Sequence, residues 1–112
     1  MKNLKMEIYC KNTALLEKAV EYSRTLGIDH HNAVIQIKRL PPSFTQTGII
    51  EHPRQLGKRT YMNIYVRLDN ERYITLAHEM VHARQVLNGQ PLDENEAYLL
   101  ETTLDNDPQK RL

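Results

Sequence analysis

Apolar and polar residues alternate, or β-branched residues cluster, in several short stretches typical of strands. The better candidates are LKMEIYC (residues 4–10), NAVIQIKRL (32–40) and RTYMNIYVRL (59–68). The first is also compatible with an extended N-terminal arm, and the second halts at Pro41 and Pro42, which cannot continue a ladder. A weaker candidate, TGIIEHPRQL (47–56), is broken at Pro53. The pattern predicts a short three-stranded sheet with antiparallel or mixed pairing.

Three other stretches repeat apolar residues at the spacing of an amphipathic helix. Each follows residues that favour a helix start, and the first two precede a glycine, which favours a helix end. The predicted helices run from Asn12 or Thr13 to Gly27, from Asp69 or Asn70 to about Asn88 before Gly89, and from Pro91 and Asp93 to roughly Leu104. The last residues, DNDPQKRL (105–112), are predicted to form a frayed tail. These elements together predict an α+β fold.

Length and charge narrow the classes of function. A chain of 112 residues is enough for one domain, predicted to span residues 1–112, with one core. Its 15 basic and 14 acidic residues give no field that would attract nucleic acid or a membrane surface. Without a signal peptide or an 18-residue apolar stretch, we expect a cytoplasmic protein. Because Cys10 is alone, any metal must be held by histidine and carboxylate.

The segment RYITLAHEMVHARQ (72–85) carries the most specific chemical signal, an HExxH motif formed by His78, Glu79 and His82. Residues four positions apart project from one face of a helix, so both imidazoles can bind one zinc ion at about 2.0 to 2.1 Å. Glu79 points to the side of the pair, the position of a general base that reaches a zinc-bound water. The alternative is a coincidental match on an ordinary helix.

Apolar residues around the motif favour the metal site. A helix this apolar is largely buried, and an unpaired polar group buried in it costs on the order of 1 to 3 kcal/mol. One metal ion would satisfy all three polar side chains. A solvated helix would instead show a cleaner polar face.

A catalytic zinc ion needs a third protein ligand, and DENEAYLLE (93–101) supplies the candidates. Glu96 shares its helical face with the apolar Leu99 and Leu100, which predicts that it points inward toward the histidines. Glu94 and Glu101 are predicted to lie on another side. Glu96 is therefore the predicted third ligand; its alternative role is to complete a capping box with the helix start.

The order of these motifs resembles that of a known family, the zincin metallopeptidases with a glutamate third ligand, and most closely the ImmA/IrrE-type peptidases. That family has a strand, then a RFTLAHELGH-like segment, then an E-x-E-A motif; here YMNIYVRL, RYITLAHEMVH and ENEAYLL follow in the same order. The resemblance covers about residues 61–100. It implies a small zincin-like domain with one Zn²⁺ held by His78, His82 and Glu96, and with Glu79 as catalytic base.

The expected activity is hydrolysis of a peptide bond by a zinc-activated water, with a protein or peptide as substrate. The strand from Tyr61 to Leu68 is expected, by analogy of fold, to offer an edge on which the substrate lies as an added strand. The alternative is a zinc-binding regulatory or protein-interaction module with little turnover, and a regulatory protein partner is compatible with either. Candidates to stabilise the oxyanion are Tyr98, Tyr61, Tyr65 and Arg84, and the loop residues His30, His31 and His52 are expected to be surface histidines.

Overall fold

A computed structural model describes residues 5–105. Within that range the chain forms five strands and three helices. In chain order they are β1 (Glu7–Cys10), α1 (Thr13–Thr25), β2 (Ala33–Arg39), β3 (Gly48–Ile50), β4 (Arg54–Leu56), β5 (Arg59–Val66), α2 (Arg72–Leu87) and α3 (Glu94–Leu104). The predicted α+β class is confirmed.

The five strands form one mixed sheet with β5 in a central position. β1 pairs with β2 and β2 with β5 in parallel, so α1 provides the crossover from β1 to β2. On its other side β5 pairs in antiparallel fashion with β3 along its C-terminal half and with β4 along its N-terminal half. The sheet therefore has more strands than the three predicted, because the weak segment broken at Pro53 forms two short strands along one partner.

The core lies between one face of this sheet and the helices. Alternate residues of β5 face the helices and are almost fully buried, as are the inward residues of β2. Together with α2 they form the central part of the core, which includes Ile35, Ile37, Met62, Ile64, Val66, Leu76, Ala77 and Met80. This packing fixes α2 against the sheet and so fixes the orientation of the HExxH motif.

Helix ends follow the predicted chemistry with one exception. Asn12 caps α1 by accepting a hydrogen bond from the Leu15 amide, and Asp93 caps α3. Gly27 and Gly89 adopt positive φ after α1 and α2. The exception is α2, whose cap residue is Glu71 rather than Asp69 or Asn70.

Two sequence-based expectations extend past the described part of the chain. Leu4, the start of the first predicted strand, lies outside it, as does the predicted tail after Asp105. Among residues 5–105, no helix combines the length and the apolar character needed to cross a bilayer.

Candidate metal centre

Two histidines project from α2 toward the start of α3. His82 is buried, with 3% of its side chain exposed, and His78 is mostly buried at 13%. Their ring centroids are 4.8 Å apart, as expected for residues one helical turn apart. The structure thus brings the two predicted histidine ligands together.

The carboxylate that joins them belongs to Glu94, the first residue of α3. Its Oε1 lies 2.9 Å from Nε2 of His78 and its Oε2 lies 3.3 Å from Nε2 of His82. One ligand atom from each of these three residues lies within 4.8 Å of the other two. Glu94 therefore occupies the place that was predicted for Glu96.

The opposite nitrogen of each imidazole is held by a different residue. Nδ1 of His78 lies 2.7 Å from a carboxylate oxygen of Glu101, and Nδ1 of His82 lies 2.8 Å from Oε1 of Gln85. A carboxylate oxygen and an amide oxygen are hydrogen-bond acceptors, so each Nδ1 must carry a proton and donate it. In a neutral imidazole the proton on Nδ1 leaves Nε2 as a lone pair.

Two nitrogen lone pairs and a carboxylate consequently converge in one place. These groups are all acceptors when both histidines are neutral, and acceptors at such separations repel unless a proton or a cation lies between them. Two imidazoles and a carboxylate are the donor set of many catalytic zinc sites, and hydrogen bonds to the outer nitrogens are the usual support of histidine ligands. The arrangement therefore fits a metal ion.

Glu96 takes a different position, which corrects the predicted phase of the last helix. Its Oε1 accepts a hydrogen bond from Nε2 of Gln85 at 2.8 Å, and its Oε2 pairs with Arg84 at 3.4 Å. The capping-box alternative is not formed either, because the Asp93 amide donates to Gln85 instead. The apolar residues on which the prediction was based are too few to define the orientation of α3. One of them, Leu99, is 74% exposed.

Glu79 lies on α2 beside the pair, with 6% of its surface exposed. Among residues 5–105, no hydrogen bond holds its carboxylate. Burial raises the pKa of Glu79, and the charges of the two histidines counter this rise only in part. A buried carboxylate with a raised pKa and no hydrogen-bond partner among the described residues is suited to accept and return a proton.

Strand β3 approaches Glu79 so closely that it requires a glycine. A Cβ on Gly48 would lie 2.7 Å from Cγ2 of Thr75 and 3.0 Å from a carboxylate oxygen of Glu79. Both distances are too short for unstrained contacts. The absence of a side chain at Gly48 lets β3 pass directly over the turn of α2 that carries the carboxylate.

The exposed edge of the sheet near the motif is β3, not β5. The predicted edge strand is wrong, because β5 is paired with β2 on one side and with β3 and β4 on the other. Within the described chain β3 pairs only with β5, so its second edge is free of strand partners. That free edge lies beside Glu79.

Only one of the four oxyanion candidates contacts the histidines. The Tyr98 ring packs edge-on against His78, with centroids 4.8 Å apart, and the residue is 62% exposed. Tyr61 and Tyr65 alternate with the buried residues of β5 and so lie on the sheet face away from α2. Arg84 is paired with Glu96.

The remaining histidines lie in loops, as predicted. His30 and His31 are neighbours with ring centroids 4.6 Å apart, and His52 is exposed. None of them belongs to the ligand group found among residues 5–105.

Sequence reasoning missed four residues of the site: Glu94 and Glu101, which were predicted to point elsewhere, and Gln85 and Gly48, which were not singled out. The spacing of Glu94, Tyr98 and Glu101, at i, i+4 and i+7, is a signal for one helical face opposite the histidines. Gln85 lies three positions after His82 and therefore within reach on the same helix. Gly48 has no signal in the sequence alone.

Comparison of the chain with models of protein families, with curated proteins and with solved structures finds no match. The geometry described above is therefore the basis for a functional proposal.

The position of Glu94 predicts its effect on metal binding. Glu94→Gln should weaken zinc binding by more than about 100-fold, because it removes a negative charge from between two imidazoles. This loss exceeds the one expected when a residue that only hydrogen-bonds to a metal ligand is replaced. Competition with a chelator measures the affinity. Glu96→Gln is the matched control on the same helix and should lose less; a larger loss at Glu96 would restore that residue as the third ligand.

The contact at Gly48 predicts a steric cost. Gly48→Ala should destabilise the fold by about 1–3 kcal/mol, since the new methyl group overpacks the contact with Thr75 and Glu79. Urea unfolding measures the free energy. Thr75→Ser removes the methyl group that the new Cβ would meet first. Gly48→Ala should therefore lower the free energy of unfolding by less in the Thr75→Ser background than in the wild type. No loss in the single variant would contradict the close approach.

The protonation of His78 predicts how metal binding depends on pH. Burial lowers the pKa of His78, but the hydrogen bonds to Glu101 and Glu94 outweigh it, so the pKa is raised from its ordinary value of 6.5. Zinc can bind His78 only after the imidazolium has lost a proton. The affinity for zinc should therefore fall as the pH decreases, starting above pH 6.5. Titrations at a series of pH values test this; an affinity that stays constant down to pH 6.5 would contradict it.

Proposed function

We propose that this chain is a zinc-dependent metallopeptidase. The observation that carries the proposal is the convergence of His78, His82 and Glu94 beside the buried carboxylate of Glu79. His78 and His82 would hold the ion through Nε2, and Glu94 would complete the set through its carboxylate. When bound, zinc supplies a Lewis acid that polarises a carbonyl group and lowers the pKa of water to about 7.

Glu79 would serve as the general base. Its burial raises its pKa toward the range useful for proton transfer near neutral pH, and no hydrogen bond competes for its oxygens among the described residues. It would take a proton from the attacking water and pass it to the leaving amine. A site that only binds zinc has no need for a carboxylate in this position.

The substrate would be an extended stretch of polypeptide. The free edge of β3 presents backbone groups to which such a segment can add as a strand, and this edge lies beside Glu79. Backbone pairing would hold the scissile bond between the edge and the metal ligands. Tyr98, exposed and in contact with His78, is the candidate for contact with the oxyanion.

The proposal includes zinc as the metal and a relation to the ImmA/IrrE-type peptidases. The donor set of two imidazoles and one carboxylate supports zinc over magnesium or calcium, which prefer oxygen ligands. The order of strand, HExxH helix and glutamate-bearing helix supports the relation. Elemental analysis of protein purified without added metal tests the first part, with about one zinc ion per chain expected.

The role of Glu79 is tested by separating turnover from metal binding. Glu79→Gln should retain zinc and lose peptide cleavage by at least about 100-fold, the lower range for general-base catalysis. Cleavage of a mixed-sequence peptide library, followed by mass spectrometry, measures activity; chelator competition measures binding. His82→Ala is the matched control and should lose both.

Two results would count against the assignment. If Glu79→Gln lost zinc as completely as His82→Ala, Glu79 would be a ligand and not a base. If the wild-type protein bound zinc but cleaved no peptide in the library or in candidate partner proteins, the alternative of a zinc-binding regulatory module would replace the peptidase.

A further inference from the structure

The buried side-chain amide of Gln85 connects His82, a proposed metal ligand, to α3, the helix that carries Glu94. Gln85 is 1% exposed and makes four hydrogen bonds. Its Oε1 accepts from Nδ1 of His82 at 2.8 Å and from the Asp93 amide at 3.0 Å. Its Nε2 donates to the Asp93 carbonyl at 3.0 Å and to Glu96 at 2.8 Å.

The backbone of Asp93 determines which way this amide points. A backbone N–H can only donate and a backbone C=O can only accept, so the oxygen of Gln85 must face the former and its nitrogen the latter. The atom next to His82 is therefore the oxygen. It follows that His82 must donate from Nδ1 and must keep Nε2 free when it is neutral.

The same amide also fixes the first turn of α3. Asp93 is the N-cap of that helix and directly precedes Glu94. Two of the four hydrogen bonds of Gln85 go to the Asp93 backbone, and a third goes to the side chain of Glu96, the third residue of α3. A displacement of Gln85 would consequently move both the ring of His82 and the residue that carries the joining carboxylate.

We propose that Gln85 is a positioning residue that sets the tautomer of His82 and the place of Glu94 together. This inference deepens the proposed function and relies on it for the identity of the ligands. Gln85 would not touch the metal or the substrate. It would hold two ligands from two helices in a geometry ready for a cation before any cation arrives, which lowers the cost of binding.

The first test is nuclear magnetic resonance of the metal-free wild-type protein. Long-range proton–nitrogen correlation, at a pH where imidazole is neutral, distinguishes a proton on Nδ1 from one on Nε2. His82 should carry its proton on Nδ1. A proton on Nε2 would overturn the inference without any variant being made.

The second test uses two substitutions of similar size. Gln85→Met removes all four hydrogen bonds, so His82 should show a mixture of tautomers and zinc affinity should fall by about 10–100-fold. Gln85→Glu keeps an acceptor for His82 but loses both donors, so the Nδ1 tautomer should return. Gln90→Met, an exposed glutamine in the loop before α3, is the control and should match the wild type.

The outcomes separate this inference from the proposed function. A folded Gln85→Met variant with an unchanged tautomer and unchanged zinc affinity would overturn the positioning role. If that variant does not fold, the tautomer of His82 in the wild type and in Gln85→Glu still tests the positioning role of Gln85. Failure of the wild type to bind zinc would overturn the proposed function, whereas the tautomer in metal-free protein would still report on Gln85.

Discussion

The convergence of acceptors between α2 and α3 is the constraint on which the site depends. Glu101 and Gln85 each accept a hydrogen bond from the Nδ1 of one histidine, which leaves both Nε2 atoms directed at Glu94. Such a group is stable only with positive charge at its centre. Burial raises the pKa of Glu94, but the hydrogen bonds and charges of His78 and His82 together outweigh that rise, so the pKa is lowered from its ordinary value. A divalent cation between the two Nε2 atoms and the carboxylate would supply the positive charge.

The sheet contributes by placing one strand over the base. β3 is only three residues long, yet it pairs with β5 and contacts α2 at Glu79. Any side chain at position 48 would push the strand away from the helix and expose the carboxylate of Glu79 on that side. The close contact that helps to bury Glu79 also brings a free strand edge to it. The same contact would therefore serve both the raised pKa of the carboxylate and the alignment of the proposed substrate.

Structural features that depend on neighbouring residues could be predicted from the sequence. The caps of α1 and α3, the glycine stops and the HExxH face were predicted because each depends on residues within one or two turns. The fold class followed from the order of elements. The orientation of α3 was not predictable in the same way: its stripe of apolar residues includes the exposed Leu99, so the hydrophobic pattern does not report which face meets α2. That face is set by hydrogen bonds between helices, which are contacts distant in sequence.

The contacts of Glu94 and Glu96 on α3 determine how the site would couple to stability. Glu96, once placed against Gln85 and Arg84, strengthens the packing of α3 on α2 whether or not a metal is present. Glu94 is exposed, and its contacts in the metal centre are those with the Nε2 atoms of His78 and His82. Because α2 is fixed in the core and α3 contributes few fully buried residues, a bound ion would act chiefly on the docking of α3. Metal binding would therefore stabilise the junction between the two helices more than the sheet, since ligand binding adds free energy to the state in which its ligands meet.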